Sequence, residues 1–294
     1  MLKYPCLVLD HDDTVVQSEA TVNYPFFVEY MPHHYQDWFT KEWVTEVSAN
    51  CRYAASRGYA GINYDCSAVA QDNRNFSGAF YTLYPYKLLD QQSRNGTLLA
   101  WAWGVSKIID AMEQGAGAEL GIDPARIGVG GDSAGGTLTV TSCMMARDRG
   151  AAVRPLFQLL VYPWLDGRNT SESYRKYTDT PMWNSTLSKK VGPIMNPDPS
   201  ATPLAYRSPV EAESHANLPP AYVEVAEFDC LHDDGVLYTH LLQEAGVEAE
   251  LHEVKGTMHG FDTVFNAPTS QRMIQSRITY MRRKFFAVSD EKLL

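Results

Sequence analysis

The chain has 294 residues, of which 45% are hydrophobic and 20% are charged. This length and composition provide the core of one large folded domain and exclude both an intrinsically disordered chain and a pair of full-sized enzyme domains. The formal net charge of -10 opposes contact with nucleic-acid phosphates or anionic lipid, so neither nucleic acid nor a membrane is an expected partner.

The sequence carries no recognisable signal for secretion or membrane insertion. Its N-terminus lacks a basic segment followed by an apolar stretch, and no apolar run approaches the roughly 18 residues that span a bilayer. The five cysteines are scattered and follow neither a disulfide nor a zinc pattern. We therefore expect a cytoplasmic protein that uses no metal and no cofactor. The sequence leaves open whether the chain forms a homodimer.

The first predicted elements are two short strands and two helices. Residues 5–9 and 58–64 are apolar runs beside polar turns, which is typical of buried strands. Residues 41–57 are compatible with a helix, and an apolar face predicts a second helix over residues 97–115. Residues 65–96 are rich in Asp, Asn, Ser, Gly and Pro, which indicates a loop.

Strands and helices alternate in the second half of the chain, after a turn predicted at residues 122–126. We predict strands at 127–130, 156–162, 221–226 and 248–254, and helices at 137–149, 235–245 and 269–286. Such alternation favours an α/β fold with a mostly parallel, doubly wound sheet. Residues 1–294 are expected to form a single domain, with possible cap elements at 15–50 and 166–217.

A Gly-x-Ser-x-Gly pattern at residues 131–135 lies between a predicted strand and a predicted helix. In this context Gly131 and Gly135 permit a sharp turn that holds the Ser133 hydroxyl above the sheet. The N-terminus of the following helix offers backbone N–H groups, notably that of Ala134, to a developing oxyanion. The pattern predicts that Ser133 is a nucleophile. A glycine-rich turn with an unreactive serine is the alternative on this motif alone.

A serine nucleophile needs a general base and a carboxylate that orients the base. Asp229 follows the strand predicted at 221–226, and His259 follows the strand predicted at 248–254. Because the carboxyl ends of parallel strands meet at one edge of a sheet, we expect both side chains to lie beside Ser133. The chain order Ser, Asp, His also occurs in one large group of serine hydrolases.

Several segments between residues 116 and 285 match one known family in register. They are Gly121–Ile127, Gly131–Gly136, Leu160–Pro163 with Asp166, Ser208-Pro209, Leu218–Pro220, Asp229–Leu231, Asp233–Gly235 and His259–Phe261. Together they resemble the hormone-sensitive-lipase-type α/β-hydrolase esterases. The resemblance implies an α/β-hydrolase fold with a small or altered cap, and Ser133, Asp229 and His259 as nucleophile, acid and base. It also implies hydrolysis of small-molecule esters with short acyl chains, without a metal or cofactor.

Three other carboxylates lie close to the predicted catalytic residues in sequence. Asp233 and Asp234 are the alternative acids, but Asp229 stands at the family's position, directly after the strand. Asp132, next to the nucleophile, is interpreted as a hydrogen-bonding residue of the turn.

The chain departs from that family in its first third. The family carries a His-Gly-Gly-Gly turn after an earlier strand, whose N–H groups supply most of the oxyanion hole, and this sequence contains no such motif. His11 is followed instead by Asp12-Asp13-Thr14. Carboxylates there would repel a developing oxyanion, so weak activity is expected. The missing turn also supports a non-catalytic ligand-binding protein on a hydrolase scaffold as an alternative function.

The segment Leu7–Val16 resembles the opening motif of haloacid-dehalogenase-type phosphatases. In that family the first Asp, here Asp10, accepts the phosphoryl group. The Asp two residues on, here Asp12, is the general acid/base, and Mg²⁺ is bound nearby. A Mg²⁺-dependent phosphatase is therefore another alternative function. The structural alternative for Asp10–Asp13 is a solvated turn at the end of a strand.

A weaker resemblance covers residues 51–113. Gly58–Ala60, Leu99–Ser106 and Asp110 resemble the approach to the nucleophile turn in glucuronoyl esterases. That family has an Arg after the serine, whereas this chain has Ala134. Three resemblances along one chain indicate a mosaic sequence.

Overall fold

A computed structural model of the protein describes residues 4–10, 60–63, 66–71, 75–87, 97–120, 122–195 and 203–286. The helix predicted at 41–57 and the cap element predicted at 15–50 lie outside the described residues.

Six strands of the described residues form one sheet. In chain order they are β1 (Tyr4–Asp10), β2 (Ala60–Asn63), β3 (Ile122–Asp132), β4 (Gln158–Val161), β5 (Ala221–Ala226) and β6 (Ala249–Val254). Their order across the sheet is β2-β1-β3-β4-β5-β6, and every neighbouring pair is parallel. Parallel strands need crossover connections, which here are mostly helical. The predicted α/β fold with a parallel sheet is confirmed.

The helices lie between and after these strands. They are α1 (Cys66–Val69), α2 (Ala79–Leu83), α3 (Thr97–Ala111), α4 (Gly117–Leu120), α5 (Ala134–Asp148), α6 (Glu172–Lys176), α7 (Ser185–Met195), α8 (Leu204–Arg207), α9 (His232–Glu244) and α10 (Pro268–Phe286). A π-helical turn at Met112–Ala116 joins α3 to α4, and 3₁₀ turns occur at Pro209–Glu211 and Phe261–Thr263. None of the helices in the described part of the chain has the length and apolar character needed to cross a bilayer.

The core covers both faces of the sheet. Successive side chains of a strand point to opposite faces. Val223 and Val225 of β5 accordingly pack in a cluster with α3, α5 and α9, whereas Tyr222 packs with Ile278 and Met281 of α10. All six residues of β5 are buried, which explains why the sequence of this central strand is nearly continuous in apolar residues.

Two predicted segments differ from the structure. The turn predicted at 122–126 falls inside β3, but the pairing register with β1 shifts there, and the Ala125 N–H donates to Asp123 Oδ1 at 3.0 Å. The predicted turn therefore does occur. It interrupts the regular pairing within β3 and does not mark the start of the strand. The loop predicted at 65–96 contains α1 and α2. Burial of the aromatic residues Phe80 and Tyr81 stabilises α2 despite its short length.

The segment predicted as a second cap element, 166–217, connects β4 to β5 and contains α6, α7 and α8. Its role as a cap stays a prediction.

Candidate active site

Three strand ends bring the predicted site residues to one edge of the sheet. Ser133 follows β3 directly, Asp229 lies three residues beyond the end of β5, and His259 lies five residues beyond the end of β6. All three strands run in the same direction. Their carboxyl ends therefore share an edge, which is where open α/β sheets carry their binding crevices.

The three side chains form one hydrogen-bonded chain. His259 Nδ1 lies 2.6 Å from Asp229 Oδ2, and His259 Nε2 lies 3.0 Å from Ser133 Oγ. The other carboxylate oxygen, Asp229 Oδ1, accepts the Leu231 N–H at 2.9 Å. All three side chains are buried, and Asp229 is fully so. With the Nδ1 proton held by the carboxylate, Nε2 is left to accept the serine hydroxyl proton.

Ser133 lies on a sharp turn with an unusual backbone conformation. Its φ is 54° and its ψ is -119°, a sparsely populated region for a residue with a side chain. The turn is held by its own backbone: the Ser133 N–H donates to Val161 O at 3.0 Å, and Ser133 O accepts the Gly136 N–H at 3.1 Å. Such over-determined strain is typical of functional sites.

Two glycines of this turn, Gly131 and Gly136, are required by space. A Cβ on Gly131 would overlap the carbonyl group of Gly135 and lie 2.9 Å from its Cα. A Cβ on Gly136 would overlap Pro163. The strand and the helix therefore approach more closely than any side chain at Gly131 allows. Ala134, the predicted oxyanion donor, is the first residue of α5, and the first N–H groups of a helix have no partner within it.

Asp234, one of the two alternative acids, contacts backbone N–H groups and not His259. Its Oδ2 accepts the backbone N–H groups of Leu165 and Asp166, both at 3.0 Å. Burial raises the pKa of Asp234 well above its usual range, and the neighbouring Asp166 carboxylate acts in the same direction. Asp234 thus attaches the segment after β4 to the start of α9.

Asp233, the residue before Asp234, makes a second attachment to the segment after β4. Its Oδ2 accepts the Ser173 N–H at 2.8 Å, and its Oδ1 contacts His232 Nδ1 at 3.0 Å. Burial acts to raise the pKa of Asp233, but the bonds from His232 and Ser173 outweigh it and lower the pKa. Of the three carboxylates that the sequence offers, only Asp229 is hydrogen-bonded to His259 in the described residues.

Two aromatic residues that sequence reasoning did not assign flank the imidazole. The ring centroid of Tyr162 lies 4.6 Å from that of His259, and the ring centroid of Trp183 lies 6.2 Å away. Tyr162 belongs to the Leu-Val-Tyr-Pro segment that matches the esterase family, which is the one sequence signal for its importance. Trp183 lies between α6 and α7, and no sequence pattern pointed to it.

The phosphatase-like motif is only partly described. Asp10 is the last residue of β1 and pairs with Gly131 in the sheet register. Asp12 lies outside the described residues. Among the residues that the structure describes, no group of three His, Cys, Asp or Glu side chains is arranged to hold a metal ion.

The comparison with family models decides the classification. A model described as the alpha/beta hydrolase fold matches residues 97–263, more than half of the chain. The chain belongs to the alpha/beta hydrolase fold family. This match confirms the resemblance found between residues 116 and 285. A second model, for fungal glucuronyl esterases, matches residues 19–147. It confirms the weaker resemblance at 51–113, although it covers less than half of the chain.

The chain is similar to several named proteins. Esterase LipI of Mycobacterium tuberculosis (strain ATCC 25618 / H37Rv) is 40% identical over 151 residues, which are 49% of this chain and 45% of that protein. Ethyl acetate hydrolase of Pseudomonas putida is 31% identical over 208 residues, which are 67% of this chain and 59% of that protein. The solved structure of a bacterial heroin esterase is similar with a TM-score of 0.65 and 27% identity, over 96% of this chain and 75% of that one. The chain spans about half the length of the curated relatives it matches.

Proposed function

We propose that the chain is a serine carboxylesterase that hydrolyses short-chain acyl esters. The observation that carries the proposal is the continuous hydrogen-bonded chain from Asp229 through His259 to Ser133, with distances of 2.6 Å and 3.0 Å. The names of the relatives support the reaction class, because they include esterases and an ethyl acetate hydrolase. The latter name also supports a small acyl group.

In the proposed acylation, Ser133 Oγ attacks the ester carbonyl carbon while His259 Nε2 takes the hydroxyl proton. Asp229 holds the imidazole in the tautomer whose Nε2 is a free acceptor, and its charge stabilises the imidazolium that forms. The oxyanion accepts the N–H of Ala134 at the start of α5. His259 then gives its proton to the leaving alcohol, and an acyl-enzyme ester remains on Ser133.

In the proposed deacylation, a water molecule takes the place of the alcohol. His259 removes a proton from this water as the oxygen attacks the acyl carbon, and the proton then passes to Ser133 as the acid leaves. No step needs a metal or a redox group.

The test is mass spectrometry of the chain after reaction with a fluorophosphonate, together with hydrolysis of p-nitrophenyl acetate. We expect the label on Ser133 and loss of both labelling and turnover in Ser133→Ala. The matched control is Ser142→Ala in α5, the helix that follows Ser133. Ser142 is buried like Ser133, but its hydroxyl has no hydrogen-bond partner among the described residues, so this variant should label normally. A folded Ser133→Ala variant that still hydrolyses the ester would overturn the proposal.

The same samples separate the two alternative functions. A phosphatase that uses Asp10 and Asp12 would lose activity on chelation of Mg²⁺ and in Asp10→Asn, whereas the esterase is indifferent to a chelator and retains hydrolysis in Asp10→Asn. A non-catalytic binding protein would bind esters without acquiring the label.

A further inference from the structure

Tyr162 is the aromatic residue nearest to the proposed general base. Its ring centroid lies 4.6 Å from the imidazole centroid of His259, with an angle of 55° between the ring planes. The attraction between a cation and the ring of a tyrosine operates within about 6 Å of the ring centroid. An imidazolium formed at His259 during turnover therefore lies within the range of the Tyr162 ring. Trp183, at 6.2 Å, is at the limit of that range.

The hydroxyl of Tyr162 is anchored to a buried ionic network. Tyr162 donates to Asp262 Oδ1 at 2.7 Å, and Arg277 Nη1 donates to Asp262 Oδ2 at 2.7 Å. Arg277 Nε also donates to Glu224 Oε2 at 3.0 Å. Glu224 is fully buried in strand β5. The network thus joins the end of β4, strand β5, the turn after His259 and helix α10.

The charges of this network shift the pKa values of Arg277, Asp262 and Tyr162. Burial favours the neutral form of Arg277, but Glu224 and Asp262 outweigh burial and hold its pKa above the usual range. Burial likewise acts to raise the pKa of Asp262, but the charge of Arg277 and the bond from Tyr162 outweigh it and lower the pKa. The pKa of Tyr162 is raised, first by burial and then by the carboxylates of Asp262 and Asp132. We therefore expect Tyr162 to keep its proton and to donate it in the hydrogen bond to Asp262.

The backbone of Tyr162 is strained. Its φ is 34°, in the left-handed region that an aromatic L-residue rarely adopts. Its N–H donates to Glu224 O at 2.6 Å, which holds the strained conformation in place. Strain of this kind persists where the surrounding structure over-determines it, and it clusters at functional sites. In this case the strained conformation accompanies the placement of the phenol ring beside His259.

We propose that Tyr162 is a positioning residue for the reaction: it holds the His259 ring in line with Ser133 and stabilises the imidazolium through its phenol ring. This inference rests on the proposed esterase function. A phenol that donates to a carboxylate is richer in electron density than a free phenol, so Asp262 strengthens the effect of the ring on the cation. The groups that face His259 in the structure are Asp229, Ser133, Tyr162 and Trp183. Of these, Asp229 carries a charge, and the Asp132 carboxylate is a further charge that acts on Tyr162.

The test compares Tyr162→Phe with the unsubstituted chain in p-nitrophenyl acetate hydrolysis across pH. The variant keeps the aromatic ring but loses the bond that holds it, so kcat should fall by less than the roughly 3- to 30-fold that loss of a whole contact between a cation and an aromatic ring would cost. KM should change little, because the imidazolium exists only after binding. The acidic limb of the kcat/KM profile should move to lower pH, since an imidazolium that is less well stabilised loses its proton more readily.

The matched control is Tyr222→Phe. The Tyr222 hydroxyl donates to the same Glu224, at 3.0 Å, but its ring stacks on His252, at a centroid distance of 4.1 Å, and not on His259. Both variants lose one buried hydroxyl hydrogen bond, so a purely structural effect would lower the melting temperature in both and leave both pH profiles unchanged. Equal kcat values and pH profiles in the two variants would overturn the inference.

A second substitution covers the case in which Tyr162→Phe does not fold. Asp262→Asn keeps an oxygen acceptor for Tyr162 but removes the negative charge, and Arg277 retains its contact with Glu224. We expect a smaller fall in kcat and the same direction of shift in the pH profile. An Asp262→Asn variant with the unsubstituted kcat and profile would overturn the inference. Fluorophosphonate labelling of the unsubstituted chain distinguishes this outcome from failure of the esterase proposal, in which Ser133 would not label at all.

Discussion

At the scale of single residues, three carboxylates near the start of α9 differ in what they contact, although only five positions separate them in the sequence. Asp229 precedes the helix and reaches His259, whereas Asp233 and Asp234 lie in its first turn and accept backbone N–H groups of the segment after β4. The strand end therefore decides which carboxylate faces the base. Asp233 and Asp234 lie on the first turn of α9 and contact the connection between β4 and β5.

This difference predicts that two substitutions of the same type change kcat by very different amounts. Asp229→Asn should lower kcat about 10⁴-fold, because an amide holds the base in the wrong tautomer. Asp233→Asn should leave kcat close to that of the unsubstituted chain, since Asp233 contacts Ser173 and His232 and not the base. Steady-state hydrolysis of p-nitrophenyl acetate measures both values. A larger loss in Asp233→Asn than in Asp229→Asn would contradict the assignment of the acid.

The sequence was sufficient to predict that Ser133, Asp229 and His259 lie together, but not what surrounds His259. Ser133, Asp229 and His259 each follow a strand, and parallel strands deliver their ends to a common edge, so their proximity follows from chain order and topology. The contact of Tyr162 with Asp262 joins residues 100 positions apart. It depends on a strained φ and on a turn after β6, and neither leaves a local pattern in the sequence.

At the scale of secondary structure, the junction of β3 and α5 depends on the absence of a side chain at Gly131. In Gly131→Ala the new methyl group would overlap the carbonyl of Gly135, so the turn must open. We expect a loss of about 1–3 kcal/mol in the free energy of unfolding and slower labelling of Ser133 by a fluorophosphonate. Urea denaturation and the labelling rate constant measure the two effects.

The control for this substitution is Gly192→Ala in α7. A Cβ at Gly192 meets nothing within 4 Å beyond its chain neighbours. Alanine is the better helix former by roughly 1 kcal/mol, and its contact with the ring of the following Pro193 offsets part of that gain. Gly192→Ala should therefore be neutral or stabilising and should label at the normal rate. If Gly131→Ala labels as fast as Gly192→Ala, the geometry of the turn is not what activates Ser133.

The attachment of the β4–β5 connection to α9 predicts a dependence of stability on pH. Because the folded-state pKa of Asp234 is raised by burial, protonated Asp234 contributes fully to stability below its unfolded-state pKa. This contribution is lost as the pH rises through the folded-state pKa. From mildly acidic to mildly alkaline pH, the free energy of unfolding should fall more in the unsubstituted chain than in Asp234→Asn. The amide keeps an acceptor for Leu165 and Asp166 and does not titrate.

Urea denaturation at the two pH values measures this difference. Asp179→Asn, an exposed carboxylate in the same connection, is the control for loss of one negative charge and should behave like the unsubstituted chain. Asp234→Ala removes the acceptor and should cost about 1–3 kcal/mol for each unpaired N–H group at both pH values. Identical pH dependence in the unsubstituted chain and in Asp234→Asn would show that Asp234 is not protonated on folding.

Strands and helices with strong periodicity were predicted within a few residues, and short elements were not. The strand at 221–226 and the helix at 269–286 agree with β5 and α10 within one residue. By contrast, α1 and α2 are four and five residues long and lie in a segment with loop-like composition. Tertiary packing of a few aromatic residues stabilises such short helices, and local sequence carries little of that information.

At the scale of the whole molecule, the sheet order places β1 next to β3, the strand that ends at the nucleophile. The sequence that follows β1 is unusual for the family. β1 pairs with β3 up to the register pair of Asp10 and Gly131, so β1 ends at the edge of the sheet that carries Ser133. In the esterase family that the sequence resembles, an early strand is expected to lead into a His-Gly-Gly-Gly turn that donates to the oxyanion. In this chain β1 continues into His11-Asp12-Asp13, which has no glycine and two carboxylates.

The sequence that follows β1 predicts an enzyme with a low kcat and an otherwise normal active site. Loss of one oxyanion donor lowers kcat about 10²–10³-fold. Because the donor acts on the transition state and not on the bound ester, kcat should fall while KM stays in the family's range. The measurement is kcat and KM for p-nitrophenyl acetate beside a family member that carries the His-Gly-Gly-Gly turn, with active sites counted by fluorophosphonate titration. A kcat equal to that of the family member would mean that other backbone N–H groups replace the missing turn, and the first place to search for them would be the chain after Asp10.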